Sequence, residues 1–447
     1  MAGKIRQMID FIIDHSAKDN PMMERVIKTK MILKGINPAK YTAQSEDEPA
    51  IISKLENMMQ TFCVATSGTH SDTPKKPSAG TIKTAFSKLA TPEACVNEIQ
   101  QQFAGMEPAM IIFFSSIHHA PQDISRHMHG GFPNAQVFGC TTAGEITSGH
   151  MLSGSVVAMA FSAEAAQDMK IEVIQNLKQR SAIEQALHHC SIHFGQPVAS
   201  MDPSRYVGIL LIDGLAGIEE KVIETLGDLT NVPFIGGSAG DDLQFSATHV
   251  YANGSCYTNA AILALLKPGI GFSFIKTQSF RFLGKTLRVT KADEANREVL
   301  QFNDKPAAAA YAEALGVPVS EVSKHFMRNP IGLVVDGEPY VRSPQRIKGD
   351  TMFFYCGVKE GMKLSLLEST DMIGDTRQAI AQAQKKHGSI SGIINFDCIL
   401  RTLDLRQQNL CGEYGNLFAD IPTVGFSTYG EQYIGHINQT STMLVFG

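Results

Sequence analysis

Three glycine-rich turns carry most of the side chains that could do chemistry: VFGCTTAGEI at 137–146, FIGGSAGDD at 234–242 and VGFSTYGEQY at 424–433. They present Cys140, Thr141, Thr142 and Glu145, then Ser238, Asp241 and Asp242, then Tyr429 and Glu431, with His436 close behind. Asp213, Cys398 and Arg401 stand at or just beyond the ends of apolar runs. Glycine permits positive φ and close backbone approach, so such turns can leave amide groups free to hold an anion or a polar head. They can equally be tight corners and nothing more.

Specific chemistries can be tested one by one. The chain has no G-x-x-x-x-G-K-[ST] loop, and the nearest string, Gly236 to Gly240, is followed by two carboxylates that would repel phosphate. It also lacks a G-x-G-x-x-G fingerprint, which disfavours dinucleotide oxidoreductases. Cys140 or Cys398 as a nucleophile would need its thiolate stabilised by amides or by Arg401; the plainer reading is a small buried hydrophobe. Most histidines read as solvated. His436 differs, because Asn438, Gln439 and Thr440 follow it in a polar cluster before the last strand. A neutral imidazole there could ligate haem iron, or be a hydrogen-bonded structural residue.

The elements that must position these residues form a repeat. Buried-strand runs AMIIFFSS (109–116), YVGILLID (206–213) and SGIINFDC (391–398) each precede a glycine turn. Each is preceded by a helical stretch, at about 91–105, 181–194 and 374–387, and each turn is followed by another strand, SVVAMAFS, NAAILALL or STMLVFG. The spacing predicts an α/β fold of repeated α-β-α-β-turn-β units in mixed sheets, with parallel central pairing and an antiparallel third strand. Ligands in such sheets bind beyond the carboxyl ends of the strands, where the three turns would converge. About 100 residues, roughly 270–370, are interposed before the third unit, with strand-like FRFLGKTLRVT and IGLVVDGEPYVR around a helix near 306–317.

Ahead of the repeat, residues 1–62 read as a small all-helical module and 63–82 as a Ser/Thr/Pro/Gly linker. The module is too short to hold much core alone and is expected to pack on the body or on another subunit. A net charge of -5 from 39 basic and 44 acidic residues speaks against a nucleic-acid partner. No window approaches the roughly 18 apolar residues of a membrane span. The start carries charge through its apolar stretch, unlike a secretion signal. Eight scattered cysteines without a C-x-x-C pair suggest reduced thiols, hence a cytoplasmic protein.

In combination, Gly139-Cys140-Thr141-Thr142-Ala143-Gly144-Glu145, Gly236-Gly237-Ser238-Ala239-Gly240-Asp241-Asp242, Asn329-Pro330, and Gly425 to Glu431 with His436-Ile437-Asn438-Gln439-Thr440 resemble the FIST family of bacterial sensory proteins. The resemblance runs from about residue 108 to the end and implies a FIST N-like domain at 83–305 and a FIST C-like domain at 306–447. It implies a signal-input module, not an enzyme, that regulates a separate partner such as a histidine kinase. It is similar to the members that bind haem and sense nitric oxide, with His436 on the iron. Cys140, Thr141, Glu145, Ser238, Asp241, Cys398, Arg401, Tyr429, Glu431 and Asn438 would then line the pocket. The alternative is an amino-acid or other polar-metabolite sensor without haem, with Arg401 on a carboxylate and Asp241 or Glu145 on an ammonium group. A homodimer through the leading helices is a further expectation.

Overall fold

Each of the three apolar runs becomes an interior strand of its own six-stranded mixed sheet in the computed structural model, which describes residues 3–17, 21–63, 80–335 and 337–447. Met110–Ser116, Val207–Ile212 and Gly392–Cys398 pair in parallel with the glycine-turn strands Gln136–Thr142, Phe234–Ser238 and Thr423–Thr428. On their other edge they pair antiparallel with Val156–Phe161, Ala260–Pro268 and Ser441–Phe446. Sheets covered on both faces favour uninterrupted apolar strands, and all three runs are buried along their whole length.

The repeat contains a step that its periodicity does not announce. After each glycine turn the chain makes a short hairpin that pairs with another unit's sheet. Glu145–Thr147 and His150–Leu152 join Thr423–Thr428 of the third unit. Val250–Ala252 and Ser255–Tyr257 join Gln136–Thr142 of the first, and Glu431–Tyr433 and Gly435–Ile437 join Phe234–Ser238 of the second. The exchange is cyclic, so each sheet is completed by a neighbour.

The three inner faces share one core, in which the Phe114 ring lies tilted at 4.5 Å from that of Phe426, among Ile209, Ile262, Phe396 and Leu444. Helices such as Pro92–Gln102, Arg180–Phe194 and Met372–His387 cover the outer faces and close separate cores there. The glycines of the turn strands serve this packing. A Cβ at Gly139 or Gly236 would lie 1.8 Å from the carbonyl oxygen of its partner, Phe113 or Leu210, and one at Gly425 would lie 2.2 Å from that of Asn395.

The interposed stretch is an antiparallel eight-stranded sheet spanning Phe280–Ser369, with helix Ala307–Leu315 on its core. The leading helices Lys4–Ala17, Pro21–Leu33 and Pro49–Cys63 enclose Ile9, Ile12, Met31 and Leu55. They pack on the body, where Thr29 Oγ1 lies 3.1 Å from the Tyr340 hydroxyl and Lys30 Nζ donates to the Thr230 carbonyl at 3.4 Å. Most of the expected linker, residues 64–79, lies outside the described residues. Among the described residues no helix is long and apolar enough to cross a membrane.

Candidate ligand site

The three glycine turns converge, and they converge on one another. The Gly240 amide donates to the Thr141 carbonyl at 2.9 Å, Ala143 to Ser427 at 3.1 Å, Ser427 to Gly144 at 2.8 Å, Ser238 to Gly430 at 2.9 Å and Tyr429 to Ser238 at 3.1 Å. These amides are spent within a closed backbone hub. The side chains that sequence reasoning grouped into one pocket leave the hub for separate places.

In the first unit, Cys140 lies in the central core, where burial pushes its thiol well above the usual range. Thr141 Oγ1 accepts from the His249 amide at 2.9 Å. The Glu145 carboxylate is enclosed: Thr142 Oγ1 donates to one oxygen, and the Ser155 amide and hydroxyl donate to the other at 3.0 and 2.6 Å. Burial lifts its pKa to about 7 against those bonds. In the second unit, Asp241 accepts the amides of Phe245, Ser246 and Ala247 and the hydroxyl of Tyr429, on whose ring Phe245 stacks. In the third, Arg401 Nε donates to Asp397 at 2.8 Å, both side chains buried, and Tyr414 donates to the same carboxylate at 3.0 Å. Glu145, Asp241 and Arg401 are therefore already partnered.

Ser238 and His436 do come together, through Gln432, at a junction of the second unit, the third unit and the interposed sheet, while Cys398 and Glu431 meet on the opposite face of the same hairpin. Hairpin Glu431–Ile437 carries groups on both faces. Thr440 donates to Glu431 Oε2 from its amide at 3.2 Å and its hydroxyl at 2.7 Å, leaving Oε1 without a partner. Burial pushes the Glu431 carboxyl up to about 8, so it holds its proton at neutral pH. Cys398 lies beside it, its amide donating to the Thr440 carbonyl at 3.0 Å and its thiol raised well above the usual range by burial. Gln432 Nε2 donates to Ser238 Oγ at 3.2 Å and to His436 Nδ1 at 3.1 Å. Burial lowers the His436 pKa against the pull of Glu220 and Glu219, so the ring is neutral. With Nδ1 accepting in this amide orientation, the proton sits on Nε2, a buried donor without an acceptor. Gly430 makes room for the ring: a Cβ there would lie 2.1 Å from His436 Cε1.

Arg342, at the end of strand Glu338–Arg342, completes the junction. It is 4% exposed and forms no ion pair among the described residues. Its Nη1 donates only to the carbonyls of Val341 at 3.2 Å and His436 at 3.4 Å, and its Nε has no acceptor. Gln432 Oε1, Asn438 Oδ1, both polar atoms of the Gln439 amide and the Ser343 hydroxyl are buried and unpartnered as well. Buried polar atoms are normally satisfied, so the unpartnered atoms of Arg342, Gln432 and His436, joined by hydrogen bonds, make this junction the candidate ligand site. Behind the cluster, Arg297 bridges Glu219 at 2.7 Å and Glu220 at 2.6 Å. A crevice of about 20 Å³, lined by Ser279, Phe280, Thr370, Leu400, Arg401 and Gln439, lies between the interposed sheet and the third unit.

Haem, the cofactor expected from the resemblance, asks for an unprotonated imidazole nitrogen and apolar walls for the macrocycle. His436 is neutral, but the groups around it are Gln432, Glu219, Glu220, Arg297 and Arg342, polar or charged where a macrocycle would need apolar walls. Among the described residues no group of three or more His, Cys, Asp or Glu is placed to hold a metal ion. These residues do not fit a haem; they fit a small ligand rich in hydrogen-bonding groups.

Sequence reasoning missed Arg342, Ser343, Gln432, Glu219, Glu220 and Arg297. An arginine closing a strand looks like any surface terminus, and nothing in its neighbours announces burial. For Arg401 a signal existed, since Asp397 stands four residues earlier at ion-pair spacing.

Residues 109–305 match the family model of the FIST N domain, and residues 307–434 match that of the FIST C domain. A protein of Methanocaldococcus jannaschii, itself uncharacterised, is 22% identical over 299 residues, covering 62% of this chain and 57% of its own. The match thus spans little more than half the length of that relative.

Proposed function

Since the chain carries FIST N and FIST C domains in tandem and so belongs to the FIST sensory proteins, we infer that it is a signal-transduction sensor whose junction site binds a small carboxylate-bearing metabolite, an amino acid being the class that fits. The observation that carries this reading is the pair of buried donors without acceptors, Arg342 Nε and His436 Nε2, linked through the His436 carbonyl. A carboxylate would satisfy both through charge-assisted bonds. Gln432 Oε1, on the same face as His436, supplies an acceptor for an ammonium group. Arg342 thus takes the role that sequence reasoning assigned to Arg401. Entry requires the junction to open, because Arg342 and His436 are buried. Ligand binding would shift the equilibrium between closed and open forms only through different contacts in the two. The output passes to a separate partner protein, a histidine kinase being the expected kind.

The experiment is a thermal-shift screen of the full chain against the amino acids, repeated with Arg342→Met. A selective rise in melting temperature that disappears in the variant supports the reading. A flat response to every amino acid, with a Soret band on adding haem that is lost in His436→Ala, would replace it with the haem and nitric-oxide reading.

A further inference from the structure

Hairpin Glu431–Ile437 is in use on two sides. Gln432 and His436 belong to the junction site, while Tyr433 and Ile434 reach the N-terminal module. Ile434, at the tip, has φ +63°, a left-handed conformation that a β-branched residue holds only where surrounding packing imposes it. That packing comes from two directions: Ile434 lies against the module's core, which includes Val26, Ile27 and Met31, and against the central core of the body. Val26 and Lys30 of helix Pro21–Leu33 line a small crevice together with Tyr433 and Ile434.

A second connection runs in parallel. Tyr340 and Arg342 are two residues apart on strand Glu338–Arg342, so they share a face. The Tyr340 hydroxyl meets Thr29 of the module, and Arg342 meets the His436 carbonyl of the site. The module therefore touches both elements that present the site's unpartnered donors, although it supplies none of those donors itself.

We propose that the helical module reads the state of the site: hairpin Glu431–Ile437 and strand Glu338–Arg342 couple ligand occupancy to docking of residues 4–63. This rests on reading the junction as a ligand site. The sign follows from the contacts. The module holds the hairpin and the strand from one side, and a ligand bonded to His436 and Arg342 would hold the same two elements from the other. Docking and binding then favour each other, and the coupling is reciprocal. An undocked module would uncover Ile434, Tyr433 and the apolar side of helix Pro21–Leu33, surfaces able to report the change.

Hydrogen–deuterium exchange on the full chain tests the coupling without needing the ligand. Val26→Asp puts a charge into the docking contact, and residues 431–437 and 338–342 are expected to exchange about tenfold faster or more, with strand Val207–Ile212 unchanged. From the opposite side, Gln432→Ala should speed exchange in helix Pro21–Leu33. Thr29→Val, which removes a hydroxyl and little volume, should loosen 338–342 alone; it keeps the test available if Val26→Asp does not fold. Accelerated exchange confined to the module in Val26→Asp, or to 338–342 and the hairpin in Gln432→Ala, overturns the proposal. The amino-acid screen reports separately on whether the site takes a ligand, so either reading can fail alone.

Discussion

Replacing each of two buried arginines by methionine should change stability very differently. Arg401 is neutralised by Asp397 at 2.8 Å and lies among Thr376 and Tyr414. Arg401→Met strands the Asp397 carboxylate in the interior, and breaking a buried pair in this way costs about 3–5 kcal/mol. Among the described residues Arg342 has no carboxylate partner; it has two long bonds to main-chain carbonyls and an unpaired Nε. Methionine keeps much of the apolar stem. It loses two bonds at the weak end of their range, about 0.5–1.5 kcal/mol each, and removes both an unsatisfied donor costing about 1–3 kcal/mol and a buried charge without an ion-pair partner among the described residues. The net effect is expected to be neutral to stabilising, so the two variants should differ by about 3 kcal/mol or more. The chain contains no tryptophan, so urea unfolding of the full chain is best followed by far-ultraviolet circular dichroism. A loss in Arg342→Met as large as that in Arg401→Met would mean that Arg342 is structural, and the argument that its guanidinium awaits a ligand would fall.

Glu431 holds its proton in the folded state up to about pH 8, against an ordinary value of 4.5, so its stabilising contribution is complete below about pH 4.5 and is lost as pH rises through 8. Unfolding midpoints measured across that window should fall less steeply in Glu431→Gln than in the parent chain; some fall should persist, because Glu145 titrates near 7. Gly430→Ala drives a methyl to 2.1 Å from the His436 ring and should lower stability by about 1–3 kcal/mol, with altered His436 resonances; an unperturbed imidazole spectrum would contradict the packing described. Nitrogen-15 chemical shifts of His436 should report a neutral ring protonated on Nε2, and the opposite tautomer would reopen the case for metal ligation.

The layered α/β architecture was legible because Met110–Ser116, Val207–Ile212 and Gly392–Cys398 are continuous apolar runs, a pattern that buried parallel strands impose. The recurring glycines marked real correspondences, yet their purpose was close approach of paired strands. The hairpin exchange left no trace, since three-residue strands such as Glu431–Tyr433 are too short to show a period. Within the site, His436 stood out by lying in a polar cluster between a glycine turn and the last strand. Arg342 did not, because its burial is created by a hairpin about 90 residues further along the chain. Long-range contacts of that kind decide which polar groups are left without partners.

The central claim is that Arg342 and His436 await a carboxylate. The most direct measurement is calorimetric titration of the amino acids into the full chain, with Arg342→Met and His436→Ala alongside. Saturable binding of at least one amino acid, abolished in Arg342→Met and weakened in His436→Ala, is the predicted result. Binding that survives intact in Arg342→Met, or the absence of binding by every amino acid, would contradict it.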